Sequence, residues 1–395
     1  MKERNGSGSP RPLPRAVRRL GWISFFTDVA SEMAYPVVPL FLASVLGAPA
    51  TVVGAVEGVA EAVVSLVKGL SGWLSDRMGR RTPWVRAGYG LGALSKPVLA
   101  AALAWPVVLL ARSLDRLGKG LRTTARDAMI ADAVDAPDAA RAYGFHRMMD
   151  TAGALVGVLL ALALLELLPG RYRLIFLLAA LPGAAAVWLT FRLRESAPLV
   201  HEAGCAAPAA LRARLSRGYW RTLAPLALFA FANSSDAFLI LRAHDLGLGD
   251  TLAVLAYALF NLTYAAASYP AGVLADRFGR WRMLLGGWLL YAGVYVGFAT
   301  ATASGVWGLF ALYGLYMGLT EGTGKAVVAV RSPAALRGTA LGAFQMISGL
   351  AALSGSLAAG GLWDAVGPGA AFGLGAGAAL AAFALALALR PWRDG

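Results

Sequence analysis

An all-α integral membrane fold, with about 12 transmembrane helices in two six-helix pseudo-repeats, is predicted by three observations on the 395-residue sequence. Apolar stretches of roughly 20 residues, the length that crosses a hydrocarbon core of about 30 Å, recur along the whole chain. Lys and Arg gather at alternate connections between those stretches. A Gly-Asp-Gly turn occurs twice, at Gly72 to Gly79 and again at Gly272 to Gly279. The composition agrees, with 58% hydrophobic residues and only 15% charged, where soluble domains carry about 25%.

Taken in order, the predicted spans of the first half are 20–44, 51–75, 83–104, 106–124, 144–168 and 173–193. Those of the second are 221–243, 252–275, 282–301, 304–327, 340–362 and 369–390. A cytoplasmic tail over 1–19, an N-terminal half over 20–193, a cytoplasmic linker over 194–220, a C-terminal half over 221–390 and a tail over 391–395 complete the division. The linker is Arg-rich and punctuated by Pro198, Gly204 and Pro208. The apolar run after the basic N-terminus carries Asp28 and Glu32 and lacks a small-residue cleavage site, so it reads as a retained helix and not a signal peptide.

The net charge of +14 could suit a nucleic-acid binder, but the cations flank spans and do not build a polar domain. Arg11, Arg15, Arg18 and Arg19 precede the first span; Arg77, Arg80 and Arg81 follow the second; Arg122 and Arg126 follow the fourth; Arg212, Arg214 and Arg217 lie in the middle. Connections from Gly47 to Thr51, Ala102 to Trp105 and Thr300 to Ser304 contain no Lys or Arg, and Arg171, Arg173 and Arg242 are the exceptions. An inner-membrane protein with both termini in the cytoplasm follows from the positive-inside rule. The single cysteine, Cys205, allows neither a disulfide framework nor a thiolate metal site.

The repeated turn consists of Gly72, Asp76, Arg77, Gly79 and Arg80, matched by Gly272, Asp276, Arg277, Gly279 and Arg280. A second echo pairs Arg141 and Gly144 with Arg337 and Gly342. Segment 72–81 resembles the G-x-L-x-D-R-x-G-R-R signature between the second and third helices of the major facilitator superfamily. The resemblance implies a rocker-switch transporter in which both turns gate the conformational change around a central cavity. A carboxylate at Asp76 would meet a neighbouring helix N-terminus or an Arg, while Arg80 and Arg81 would stay in cytoplasmic water. Gly144, Gly153 and Gly157 are similar to the opening of the family's antiporter signature, but Val158, Ala161 and Leu162 replace its closing Pro and Gly residues. Segment 112–120 loosely resembles the family's R-x-x-x-G pattern in the fourth helix.

A charge at the middle of a span costs about 2.5–3.5 kcal/mol on insertion scales, so charges found there pair or line a wet cavity. Asp28 and Glu32 share a face of the first span, and Glu57 and Glu61 one of the second, with Lys68 farther along. Arg112, Asp115, Arg116 and Lys119 form a stripe on the fourth; His146 and Asp150 share a face of the fifth beside Arg147. Asp236 follows a polar run in the seventh, and Glu321 pairs with Lys325 along the tenth. The resemblance implies that the first, fourth, seventh and tenth helices line the cavity, which would set Glu32, Asp115, Asp236 and Glu321 near the midplane.

For Lys68, Lys119, Arg147 and Lys325 an ion pair within one half is the expected use. Glu32 and Asp236 are the first candidates for proton coupling, because burial disfavours a charged carboxylate. These residues point to proton-coupled efflux of a cationic or neutral polar organic molecule. The alternative is an organic anion held by Arg112 and Arg116, and metal-ion export ranks below both, since His146 is the lone membrane histidine. No P-loop, H-E-x-x-H motif or soluble domain supports an enzyme or a sensor, and no cofactor is expected. The expected partners are a small solute, protons and the bilayer, with a monomer sufficient.

Overall fold

The computed structural model describes residues 12–48, 50–194, 215–234, 236–248 and 250–393. Among them there is no strand. The N-terminal half holds α1 (Arg15–Ala34), α2 (Val37–Ser44), α3 (Ala50–Met78), α4 (Thr82–Ala100), α5 (Trp105–Asp132), α6 (Ala139–Leu167) and α7 (Tyr172–Thr190). The C-terminal half holds α8 (Arg217–Ala232), α9 (Ala237–Asp245), α10 (Asp250–Phe278), α11 (Arg280–Thr300), α12 (Val306–Val330), α13 (Arg337–Ala365) and α14 (Pro368–Leu389).

The first and seventh predicted spans are each broken in two, at Tyr35–Pro36 and after Asn233. Pro36 has no amide hydrogen to continue the ladder of α1. At the second break Asn233 leaves helical geometry (φ −79°, ψ 75°), in a polar run whose side chains can replace backbone bonds. The fourth span is longer than predicted, because α5 continues to Asp132. Arg122 and Arg126 therefore lie inside that helix, correcting their reading as flanking residues. Helix α1 starts at Arg15 and α8 at Arg217, and Trp392 packs on Trp281 at 6.1 Å between ring centres. Most of the linker, residues 195–214 with Cys205, lies outside the described residues.

The pseudo-repeat is visible in the packing. In the first half α1 packs on α6 and α7, α4 on α5 and α7, and α3 on α5. In the second the equivalent partners meet, α8 with α13 and α14, α11 with α12 and α14, and α10 with α12. Leu66, Leu103, Leu181, Trp188 and Leu357 point away from the bundle, apolar and exposed as a lipid-facing surface requires. Five described helices (α6, α7, α11, α13 and α14) are long and apolar enough to cross a membrane by length and composition alone. Others fall short of that criterion because they carry charges inward or are broken, as with α5 and α1.

Candidate functional site

The two copies of the repeated turn join one half to the other. In the first, Asp76 at the end of α3 accepts hydrogen bonds from the backbone N–H of Gly338 (3.1 Å) and Thr339 (2.6 Å) and from the Thr339 hydroxyl (2.7 Å). In the second, Asp276 at the end of α10 accepts from the N–H of Ala140 (3.1 Å) and Arg141 (2.7 Å). Each carboxylate thus sits on the first turn of a helix in the opposite half, α13 or α6, where unpaired N–H groups and the helix dipole favour an anion. Gly79 and Gly279 end the turns with φ of +62° and +104°, which glycine adopts without strain.

The helices cross closely at these points. A Cβ on Gly72 would lie 2.2 Å from the Gly338 carbonyl oxygen, and one on Gly272 would lie 2.4 Å from that of Ala140. Gly144 and Gly342, the second echo in the sequence, do the same work one turn deeper, against Ser268 and Lys68. Gly153 and Gly157 instead let α6 lie on α1 at Phe25 and Val29. Arg280 bonds Asp276 (2.8 Å) and the Ala136 carbonyl; Arg77, Arg80 and Arg277 stay exposed. Arg81 is the correction here: it is buried, pairs with Asp132 (3.1 Å) and lies 3.5 Å from Asp76, while Arg337 of the other half holds Asp132 at 2.6 Å.

A cavity of about 480 Å³ lies between the halves, deeper than the latches. Two ion pairs span it. Arg147 of α6 meets Glu321 of α12 at 2.9 Å, with Tyr264 bonded to both, and Lys325 meets the fully buried Asp127 of α5 at 3.3 Å. Asp127 also pairs with Arg126 (2.9 Å) and accepts from Gln345 of α13 (3.1 Å). Arg147 further holds Asp150 at 2.7 Å, and Asp28 lines the cavity with Asp150. Arg147 and Lys325 therefore bridge the halves, where pairs confined to one half were expected.

The walls of the cavity differ. The N-terminal half contributes Lys68, Lys119, Arg122, Arg126 and Arg147 against Asp28 and Asp150, whereas the C-terminal half contributes one cation, Lys325, and one acid, Glu321. Arg122 is 4% exposed and stacks over Tyr89 at 4.8 Å; its Nε and Nη1 have no hydrogen-bond partner among the described residues. Lys119 is exposed on the cavity and has no ion pair among them.

Other predicted candidates lie elsewhere. Asp115 is bound within the first half by Lys96 (2.6 Å) and lies 3.8 Å from Arg112, which stacks on Tyr35 at 5.2 Å. Neither lines the cavity, nor does Arg116, on the same stretch of α5. Glu32 packs beside Gly157 on α6, and Asp236 accepts from Tyr313 at 2.7 Å in a cage of tyrosines. His146 is buried, hydrogen-bonded to Ser24 (2.7 Å), which also contacts Tyr89 and Arg126. The side chain of Glu61, like that of Glu57, lies outside the described residues.

Sequence reasoning missed Lys96, Arg122, Arg126 and Asp127 as intramembrane charges. Lys96 stands well inside a predicted span and could have been flagged; Arg122, although within 106–124, was read as flanking that span, and Arg126 and Asp127 were lost when it was ended at 124. It also missed the aromatic cluster of the second half, in which Phe229 stacks on Trp288 (4.9 Å) and Tyr291 meets Tyr295 (4.0 Å) and Tyr316 (4.9 Å). The spacing of Trp288, Tyr291 and Tyr295 along one face of α11 was its only signal.

Comparison with known proteins agrees with this geometry. The sequence pattern described as the Major Facilitator Superfamily matches residues 20–242 and 223–394. The chain is 33% identical over 360 residues to an uncharacterised MFS-type transporter of Methanocaldococcus jannaschii, a match covering 89% of each. The fold of the E. coli fucose:proton symporter superposes with a TM-score of 0.81 at 14% identity, over 94% of this chain and 98% of that one. The human organic anion transporter gives 0.77 at 19% identity, over 95% of this chain and 100% of that one. Two pseudo-repeated halves, latched crosswise around a charged cavity and matched by the family pattern along almost the whole chain, show that it belongs to the major facilitator superfamily and is a membrane transporter, not an enzyme.

Proposed function

We propose that this transporter carries a small organic anion by alternating access, coupled to protons. The observation that carries the reading is the N-terminal wall of the cavity, where five cations face two acids and Lys119 is exposed with no ion pair among the described residues. An exposed ammonium with no carboxylate on it is open to a bound anion, which would supply a charge-assisted acceptor. The expectation of a cationic or neutral cargo rested on an excess of acids at the midplane; along the cavity wall cations are in excess. Arg112 and Arg116, the cations first considered for an anion, give way to Lys119 and Arg122, one to three turns farther along the same helix.

Proton coupling is assigned to Asp28 and Asp150. Both carboxyls line the cavity on the wall that would bind the anion, and burial of two acids together favours a proton on one of them. Losing that proton adds a negative charge beside Lys119 and Arg126, in competition with the substrate. Orientation follows from the Arg-rich ends of α3, α7 and α10, which belong in the cytoplasm of an inner-membrane protein, together with both termini. In that orientation the closed latches seal the cytoplasmic side.

Uptake into proteoliposomes tests the reading. Accumulation of an organic anion should follow an imposed pH gradient; Arg122→Gln should reduce it at least tenfold, and Asp28→Asn or Asp150→Asn should leave residual transport indifferent to the gradient. Transport of organic cations in preference to anions, unaffected by Arg122→Gln, would sink it.

A further inference from the structure

A second cavity, of about 1030 Å³, lies at the Arg-rich end of the C-terminal half. It is built where four helices terminate: α10 ends at Phe278, α11 starts at Arg280, α12 ends at Val330 and α14 ends at Leu389. Because α11 and α14 are long and apolar enough to cross a membrane, the residues at their ends stand at the level of the lipid headgroups. Four arginines line the cavity, Arg277, Arg280, Arg282 and Arg331, against one acid, Asp276. That acid is taken, since it holds Arg280 and accepts from the N–H groups of Ala140 and Arg141. Arg277 and Arg282 are exposed, and neither has an ion pair among the described residues. Arg277 lies over the Phe278 ring at 5.3 Å, and Arg282 reaches the Phe278 carbonyl at 3.4 Å.

Much of the remaining lining is apolar. Leu285, Val327, Val330 and Leu387 share the cavity with the arginines, beside the Trp281 and Trp392 rings. Phe278 and Leu387 are apolar and exposed there, at 51% and 44%. Tryptophan beside arginine is the composition of a helix end passing from hydrocarbon to water. We infer that this cavity binds an anionic phospholipid, its phosphate on Arg277 and Arg282 and the start of its acyl chains against Leu285, Val330 and Leu387. In the orientation proposed above, the lipid belongs to the cytoplasmic leaflet. A guanidinium holds a phosphate through paired N–H bonds, and a basic pocket between spans is a setting in which anionic headgroups are held. A free phosphate would use the same arginines but leave the apolar side chains uncovered, so the lining favours the lipid.

The test compares phosphatidylglycerol with phosphatidylcholine, which carries the same phosphate together with a cation of its own. Dissociation constants are read by native mass spectrometry of the purified protein in detergent. Each arginine engaged favours the anionic lipid about fivefold, so the wild-type protein should prefer phosphatidylglycerol at least tenfold. Arg277→Gln with Arg282→Gln should bring the two lipids within threefold of each other. Arg18→Gln with Arg194→Gln, which removes two exposed arginines on the same side in that orientation, should keep the preference. Excess inorganic phosphate should leave bound phosphatidylglycerol in place. Equal affinity for the two lipids in the wild-type protein overturns the inference, and that comparison does not depend on a variant that folds. An equal loss in both pairs of variants overturns it as well, because the attraction would then be to the charge of the whole face. Displacement by inorganic phosphate would make the cavity a site for the free anion and overturn the lipid assignment.

Discussion

Asp127 concentrates the residue-scale energetics. It is fully buried, lies between Arg126 and Lys325, and takes a hydrogen bond from Gln345. Breaking a buried pair by removing one member costs about 3–5 kcal/mol, because the other charge stays behind. Asp127→Asn should therefore lower the thermal unfolding midpoint in detergent by several degrees. Removing both partners across the halves, in Asp127→Asn with Lys325→Met, should recover part of that loss, and a double-mutant cycle would read the coupling. Gly72 is the steric counterpart. Any side chain there meets the Gly338 carbonyl, so Gly72→Val should hold the latch open, seen as faster thiol labelling of a cysteine placed at Thr339 in a Cys205→Ser background.

Among the elements, the charged helix ends carry the contacts between the halves. A carboxylate on the first turn of a helix is worth about 1 kcal/mol, roughly a fivefold change in a two-state ratio. Asp76→Asn should shift the closed-to-open ratio of the α3 and α13 contact by about that factor, measured as a longer mean distance between spin labels at Met78 and Ala335. Asp276→Asn should do the same at α10 and α6, since its hydrogen bonds to Ala140 and Arg141 repeat the arrangement. The broken first and seventh spans are the other distinctive elements. They end helices where Tyr35 and Asn233 stand, and leave short α2 and α9 on the face away from the latches.

For the whole molecule, the two latches and the two central ion pairs all cross between halves, so one rigid-body rotation must break all four together. Closely coupled contacts of this kind make the change two-state and not gradual. Combining Asp76→Asn with Asp276→Asn should shift the population by roughly the product of the single effects, about 25-fold, because the two carboxylates share no hydrogen-bond partner. A product much below that, measured from the same spin-label distances, would mean that one latch alone limits opening.

The sequence by itself determined the class, the near-complete list of spans and the duplicated turn, because membrane insertion depends on the length and charge of local segments. It also marked Asp76 as a residue that meets a helix terminus or an Arg, with Asp276 as its counterpart in the repeat. It could not name the terminus, which belongs to the other half in each case, more than 130 residues away. Nor could it sort the buried charges. Asp115, buried beside Lys96, and Asp127, buried beside Lys325, look alike along one helix, yet the first is tied within a half and the second across the cavity. Which charges pair, and which are left over for a ligand, depends on helix rotation and depth, and only packing fixes those. Packing therefore shifts the candidate anion site along α5 from Arg112 and Arg116 to Lys119 and Arg122, which line the cavity, Lys119 being exposed there with no ion pair among the described residues.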